Sequence, residues 1–538
     1  MDGGQTLIID DREVSFYDEG TLIDVFEHNQ INVPHLCFHS GLTPSGHCGL
    51  CTIEIWDENS EEHWIPALAC VIKPEAGMRI RTTSERIALI REMAGKLLLR
   101  SHPCDCNFCE QFGTCELRNI YNRTRFGFTR AIEDGKHKKP ILSKLSERFL
   151  LDREKCIQCG LCVTFFREEL GEDFLHIVSP DGERFQLDPY SQIEIEDGYW
   201  LNAIEVCPCN AIFDAAALSA LPSWQLKKVP SIAPDSSTGS NIDLFIEGDE
   251  VVYVKPRPNP DVNLLISDKV RNWFAKNNDN RIDDIILHGQ KTDIREGMLY
   301  LLSHIGFGYR CAIVGHASQS LESLFLIRQL ADVLGASVFF KKHPQAGDGW
   351  LISEDADTNL RGALLTKALK NTAIDDFSEI EKLIDDKQIK TLIVVSEDLV
   401  AEGFPVEKLK NVCCIIFSSS RNQTTPHGEL IFPITTIAEE DGHLINRQFR
   451  LQRYHKALQR KTSARALWEW LALIKNGYMG RSAEEMEYQT IEEVWTALEK
   501  LIPELAKISL AKLPDNGVVL DDQRFVNYPF LEHPKAEL

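Results

Sequence analysis

The chain has 538 residues, 43% hydrophobic and 9% aromatic, with a formal net charge of -23, which fits two to four globular domains and excludes a disordered or fibrous class. So acidic a balance speaks against a nucleic-acid partner, because phosphate binding needs a basic face. No apolar run approaches the ~18 residues of a membrane-spanning helix, and the Met-Asp-Gly-Gly start lacks the regions of a secretory signal, so the expectation is a cytoplasmic protein or one side of a larger assembly.

In chain order, Thr6–Asp10 and Glu13–Tyr17 read as a hairpin turning at Asp11-Arg12, followed by a helix from about Leu22 to Asn29. Cys51–Trp56 reads as a strand with polar Glu54 between Ile53 and Ile55. A helix is expected from Thr82, with Thr82 and Glu85 as a capping box and Ile87, Ile90, Met93 and Leu97 as its apolar side, to about Arg100. Pro230–Ser240 and the polar run Lys276–Asp284 read as linkers or loops. Further on, strands at Cys311–Val314, Ser337–Phe340, Thr391–Val395 and Cys413–Phe417, with a helix at Leu321–Leu334, predict a mostly parallel, doubly wound sheet. An amphipathic helix at Ile491–Leu501 precedes a polar, proline-containing tail expected to dock on a neighbouring subunit.

Cysteine placement is the most informative feature. Thirteen of the 16 cysteines lie between Cys37 and Cys209, and only Cys311, Cys413 and Cys414 follow. At short spacings in a reducing compartment such clustering favours metal over disulfides. The first set is Cys37, Cys48, Cys51 and Cys70. Two cysteines three apart grip one iron from a loop and distant cysteines close the site, the logic of plant-type 2Fe–2S ferredoxins with a longer first gap. Gly41, Gly46 and Gly49 let backbone amides approach the sulfides. The second set is His102, Cys106, Cys109 and Cys115, which suits a 4Fe–4S cluster or zinc, with Cys104 an alternative fourth ligand. The third is Cys156, Cys159 and Cys162 with the distant Cys207-Pro208, one half of a bacterial ferredoxin pattern. The position of the fourth clustered cysteine is Phe166, and Cys209 is surplus.

Other motifs carry less. Cys413-Cys414 read as core. Gly315-His316-Ala317-Ser318 follows a strand and imitates a phosphate-binding turn without the G-x-G-x-x-G spacing.

The order of these motifs resembles the large iron–sulfur (G-type) subunit of the peripheral arm of respiratory complex I, NADH:quinone oxidoreductase. The back half is similar to that family's molybdopterin-oxidoreductase-like domain through Glu440 to Asn446, Arg450 and Gln452, and through the helix Ser323–Leu334. The resemblance implies a multi-domain α+β / α/β chain. A 2Fe–2S ferredoxin-like, β-grasp-like domain would span 1–82, the one-histidine/three-cysteine 4Fe–4S box 83–143, and a ferredoxin-type 4Fe–4S domain 144–222. A doubly wound molybdopterin-oxidoreductase-like domain without cofactor would span 223–475 and a helical tail 476–538. It further implies an electron-transfer subunit of an oxidoreductase, with no substrate site of its own, on the cytoplasmic side of the bacterial inner membrane. Such a subunit passes electrons from the FMN/NADH-binding subunit through one 2Fe–2S and two 4Fe–4S clusters toward quinone, with the all-cysteine 4Fe–4S site second and the histidine-ligated one third. Some relatives carry a further cluster whose cysteines would fall near Ala233, Ser236, Ser240 and Ser267, where none is present, so no fourth cluster is expected. The alternatives are an iron–sulfur subunit of an NAD-linked hydrogenase or formate dehydrogenase complex, and a zinc-stapled scaffold for the His102 box.

Overall fold

A computed structural model describes residues 5–520, apart from 104–105, 110, 112–114, 125–141, 147, 179–185, 190–197, 216–220, 222, 276–278, 306–309, 350, 370–372, 460–462 and 483–484. Cys104, the first residues of the Lys276–Asp284 run and the tail after 520 therefore lie outside the described residues. The chain divides into two compact units, Met1–Leu226 (with Leu538) and Lys227–Glu537.

The first unit opens on a five-stranded sheet. Strands Gln5–Ile9 and Arg12–Phe16 pair antiparallel with Ile9 opposite Arg12. The turn is thus Asp10-Asp11, one residue earlier than the pattern suggested, and both aspartates sit at positive φ (47° and 63°). Two consecutive left-handed residues match the twist of the flanking strands, and aspartate tolerates that region better than Arg12 would. The first strand also pairs parallel with Arg79–Arg81, which neighbours the Thr52–Trp56/Trp64–Leu68 hairpin. Helix Leu22–His28, closed by a Thr21–Asp24 capping box, buries Leu22, Ile23, Val25 and Phe26 on this sheet. Glu54 is buried, so Thr52–Trp56 does not alternate as its sequence suggested.

The next helix is Glu85–Ser101, and its N-cap is Ser84, not Thr82. Thr82 is taken by Asp10, which accepts from its amide (2.8 Å) and hydroxyl (2.5 Å). Ile87 is buried, but Leu89, Met93 and Leu97 are exposed in this chain, contrary to the expected packing of Met93 and Leu97. The unit also holds a three-stranded sheet of Leu142–Lys144, Phe149–Asp152 and Ile212–Asp214, a hairpin of Leu175–Val178 with Gln186–Pro189, and helices Glu116–Thr124, Leu161–Glu168 and Ala203–Val206.

In the second unit, Lys227–Ile232, Asn241–Glu247 and Glu250–Pro256 form a meander. Pro230–Ser240 is therefore not a linker: it contributes a strand and a buried turn. The main sheet has seven strands. Five are parallel, in the spatial order Ser337–Phe340, Cys311–Gly315, Thr391–Val395, Cys413–Ser418, Leu430–Pro433. An antiparallel pair, Ile285–Leu287 and Gln290–Thr292, completes its edge. Numbered along the chain, the five run 2-1-3-4-5, the flavodoxin-like doubly wound order.

Alternate residues serve opposite faces. Ile313, Ile393, Ile415 and Phe417 pack with helices Leu321–Leu334, Leu467–Tyr478 and Ile491–Leu501. Ala312, Val314, Leu392, Val394, Cys414 and Ile416 pack with helix Ser378–Asp385. Both faces are covered, which is why these strands read as continuous apolar runs. Ser320 caps the first of these helices and Gly335 ends it at φ 62°. Of the two cysteines read as core, Cys414 is fully buried in its strand and Cys413 is half-buried at the strand's start. Among the described residues no helix is long and apolar enough to cross a membrane.

Candidate metal centres

The first cysteine set converges. Cys37 and Cys48 come from the loop after helix Leu22–His28, Cys51 from the residue before strand Thr52–Trp56, and Cys70 from the turn after Trp64–Leu68; all four are buried. The Cys51 and Cys70 sulfurs are 3.4 Å apart, and the Cys48 amide donates to Cys37 Sγ at 3.2 Å. Hydrogen bonds from the Cys48 and Cys70 thiols hold Cys37 down to about 2, and contact with Cys70 lowers Cys51 to about 7. The same contacts push Cys48 and Cys70 up. Thiols crowded in this way cannot all ionise in an apolar pocket unless a cation joins them. Gly46 and Gly49, both at φ +67°, give the loop left-handed positions on either side of Cys48, whose amide meets Cys37 Sγ. Burial pulls the nearby Arg91 guanidinium down to about 10 against the attraction of Cys51, and its Nη2 donates to Thr52 O (2.7 Å).

The third set lines a cavity formed by Cys156, Cys159, Cys162, Cys207 and Cys209 together with Ile157, Gly160 and Ile212. Gln158, at φ 58°, directs its amide to Cys156 Sγ (3.4 Å), and the Ala211 amide donates to Cys207 Sγ (3.3 Å). Amide-to-sulfur bonds of this kind stabilise thiolate charge and tune a bound cluster. A hydrogen bond from Cys209 lowers Cys207 to about 6, with their sulfurs 3.9 Å apart. Burial raises Cys159, Cys162 and the surplus Cys209, although for Cys209 contact with Cys207 is the larger cause. Cys209 is thus closer to the candidate site than its surplus place in the spacing suggested. Phe166, at the position of the missing fourth cysteine, is fully buried against Phe149, Phe165, Phe174 and Trp200. An aromatic core occupies the place of a second ligand run.

The second set sits beside the third. His102 is buried, and its Nδ1 meets Lys155 O at 2.9 Å. A carbonyl accepts only from a protonated nitrogen, so this bond puts the proton on Nδ1 and makes Nε2 the basic nitrogen, the tautomer suited to ligation through Nε2. Cys106 opens a single helical turn and Cys109 closes it through its amide on Cys106 O (3.2 Å). Burial raises Cys115, and Cys109 and Cys106 add to the effect.

Residues the sequence did not single out join the sets. Ser45 Oγ donates to Cys159 O at 2.7 Å, and Gly160 leaves room for Ser45 and His47, each of which an added Cβ would contact. Gln111 Nε2 donates to Cys207 O (3.2 Å), and Lys155, which holds His102, adjoins Cys156. The third set therefore touches both the first and the second.

In the second unit, Ala233, Ser236, Ser240 and Ser267 are all buried. Ala233 N donates to Ser240 O (2.8 Å), and Ser267 Oγ to Asp235 Oδ2 (2.7 Å). The signature Glu440–Asn446, Arg450 and Gln452 forms the hairpin of Gly442–Ile445 with Arg450–Tyr454, which braces this turn. Gln452 Nε2 donates to Gly239 O and Asn241 Oδ1 (both 2.8 Å), and Asn446 Nδ2 to Thr238 O (2.9 Å). His443 Nδ1 meets Glu322 Oε1 at 2.5 Å, both fully buried. These residues act as structural braces.

Residues 6–85 match the family described as a 2Fe-2S iron-sulfur cluster binding domain. Residues 91–129 match the NADH-ubiquinone oxidoreductase-G iron-sulfur binding region, and 148–213 the ferredoxin-like domain of NADH-quinone oxidoreductase subunit 3. Among curated relatives, the G-type subunit of NADH-quinone oxidoreductase from Rickettsia typhi is 27% identical over 339 residues, 62% of this chain and 49% of that protein. The mitochondrial NADH dehydrogenase [ubiquinone] iron-sulfur protein 1 of Solanum tuberosum is 28% identical over 344 residues, 61% of this chain and 45% of the relative. The 78 kDa subunit of NADH-ubiquinone oxidoreductase from Neurospora crassa is 31% identical over 274 residues, 49% of this chain and 35% of that one. The chain thus spans about half or less of the length of the curated relatives it matches. Three stretches of the chain are thus similar to iron–sulfur modules, two of them described from NADH-ubiquinone oxidoreductase G and NADH-quinone oxidoreductase subunit 3, in keeping with the resemblance that the order of the motifs carries.

Proposed function

We propose that the chain is an electron-transfer subunit of NADH:quinone oxidoreductase, passing electrons from an FMN- and NADH-binding subunit toward quinone. In this reading Cys37, Cys48, Cys51 and Cys70 hold a 2Fe–2S cluster. His102, Cys106, Cys109 and Cys115 hold one 4Fe–4S cluster, and Cys156, Cys159, Cys162 and Cys207 another. The clusters supply one-electron chemistry at potentials that the protein tunes. The chain's own residues bury the sulfurs, point amides at them, and keep His102 in the ligating tautomer.

The observation that carries the proposal is the contact order of the ligand sets. Ser45 joins the first to the third, and Gln111 and Lys155 join the third to the second. A relay needs neighbouring centres, and this order provides them in the sequence 2Fe–2S, all-cysteine 4Fe–4S, histidine-ligated 4Fe–4S. No catalytic residue is assigned, because electron transfer requires no proton chemistry here. In this reading residues 223–475 are a molybdopterin-oxidoreductase-like domain kept without its cofactor and without a fourth cluster, followed by a helical tail at 476–538. The partners are the FMN subunit and downstream iron–sulfur and quinone-site subunits of the peripheral arm, on the cytoplasmic face of a bacterial inner membrane.

A low-temperature EPR titration of the anaerobic protein tests this. Three reducible centres, one lost with each of Cys51→Ser, Cys109→Ser and Cys159→Ser, support the proposal. Retention of all three signals in any of these variants contradicts it.

A further inference from the structure

The main sheet of the second unit reverses its winding between strands Cys311–Gly315 and Thr391–Val395, the first and third of the 2-1-3-4-5 order. Ligands of doubly wound sheets bind outside the carboxyl ends of the strands at this switch point. Three side chains there follow three adjacent strand ends: His316 after Cys311–Gly315, His343 shortly after Ser337–Phe340, and Glu397 just after Thr391–Val395. Asp357, in the loop before helix Leu360–Leu365, reaches the same point.

The geometry is that of a ligand set. Asp357 Oδ1 lies 3.0 Å from His343 Nδ1 and 3.4 Å from His316 Nδ1. One candidate ligand atom from each of these residues lies within 4.8 Å of the others. Ligands around tetrahedral zinc at ~2.0–2.1 Å stand about 3.3 Å apart, so these separations need little adjustment. The imidazoles stack at 4.4 Å with planes 15° apart, so one ring has to rotate for both in-plane lone pairs to meet one ion. The Ser318 amide donates to His316 Nδ1 (3.2 Å), which marks that nitrogen as unprotonated. Its lone pair lies beside the Asp357 carboxylate but is engaged by the amide, so an ion binding there takes the place of this hydrogen bond.

A second, independent observation supports a metal. His343 Nε2 lies 3.3 Å from Glu397 Oε1. A carboxylate that accepts from the far nitrogen of a ligating histidine fixes its tautomer and orientation, as in carboxylate–histidine–zinc triads. Glu397 is 2% exposed, and its other oxygen, Oε2, is buried with no hydrogen-bond partner among the described residues. Asp357 is 1% exposed, and among the described residues neither acid has an ion pair to lysine or arginine. A proton on His343 answers one of two buried negative charges; a divalent ion answers both.

The backbone holds the set in place. His316 N donates to Val395 O (3.1 Å), Ala356 N to His343 O (3.0 Å), and Asn359 N to Ala317 O (3.2 Å). The geometry points to a divalent-metal site in the second unit, with His316, His343 and Asp357 as ligands to an ion of the zinc type and Glu397 as the carboxylate that orients His343. Two imidazoles and one carboxylate suit Zn²⁺ and leave its fourth position to water on the side where His316 is half-buried. The ion would tie together three strand-end loops.

The test uses the full chain with its clusters assembled. Wild type, His316→Gln and Asp357→Asn are dialysed against Zn²⁺ and then against metal-free buffer, and zinc and iron are counted. Wild type is expected to hold one zinc more per chain than either variant at the same iron content, and Zn²⁺ to raise the Tm of wild type alone. His316 is partly exposed, so its glutamine variant keeps the fold even if Asp357→Asn is unstable. Equal zinc in wild type and His316→Gln overturns the assignment. So does a Co²⁺-loaded wild type whose added absorption is thiolate-to-metal charge transfer, since that would place the ion on cysteines.

Discussion

Replacing His102 with cysteine tests the second centre most sharply. The side chain is buried, and Nδ1 is engaged by Lys155 O at 2.9 Å. Exchanging a neutral imidazole for a thiolate adds one negative charge next to the cluster and sets that charge near a carbonyl oxygen with no proton to offer it. At an effective dielectric constant near 20, one charge at ~4 Å amounts to about 4 kcal/mol. With ~59 mV per tenfold for a one-electron couple, that is roughly 180 mV. Solvent and counterion relaxation reduce it, so the variant's midpoint should fall by about 100–180 mV, in line with the rise that histidine ligation gives Rieske centres. The assay is an EPR-monitored redox titration of that centre at constant iron content. An unchanged midpoint with the cluster intact would remove His102 from the ligand set.

Cys207→Ser should lower iron by about four per chain, while Cys209→Ser leaves it unchanged; the opposite result would exchange their roles across the 3.9 Å that separates their sulfurs. Gly239 has φ +63° and a Cβ there would lie 2.5 Å from Gln452 Oε1. Gly239→Ala should therefore destabilise by about 2–4 kcal/mol in chemical denaturation, from left-handed strain and lost hydrogen bonds, and a change below ~0.5 kcal/mol would refute the bracing role of Gln452. On helix Glu85–Ser101, Ile87→Ala should cost about 2–5 kcal/mol, whereas Met93→Ser stays within ~0.5 kcal/mol in the isolated chain because Met93 is 58% exposed.

Much of the candidate site was legible in the sequence because iron ligation constrains local spacing. A cysteine three positions from the next presents its sulfur on the same loop, so the pairs and triplets Cys48/Cys51 and Cys156/Cys159/Cys162 stood out as candidate ligands. The parallel strands were equally visible, since burial on both faces leaves uninterrupted apolar runs such as Thr391–Val395. Reading failed where tertiary partners decided the outcome. Asp10 took Thr82 away from its expected capping role, and Ser84 replaced it. Periodicity put Met93 and Leu97 on a core face that this chain does not cover. Proline, serine and glycine made Pro230–Ser240 look like a linker, although a sheet and the Gln452 hairpin bury it. The His316, His343, Asp357 and Glu397 set was invisible for a different reason. Its members are spread over 82 positions of the chain from first to last, and only strand order brings them together. Gly315-His316 after a strand was the one trace, and it resembled a phosphate turn.

The central claim is that three ligand sets hold three clusters. Iron content of the anaerobically purified chain, counted alongside its EPR-active centres, tests it most directly. The account predicts 2 + 4 + 4, about ten irons per chain, in three centres. About six irons in two centres would contradict it by removing His102, Cys106, Cys109 and Cys115 from the relay, and about fourteen would contradict it by requiring a fourth cluster.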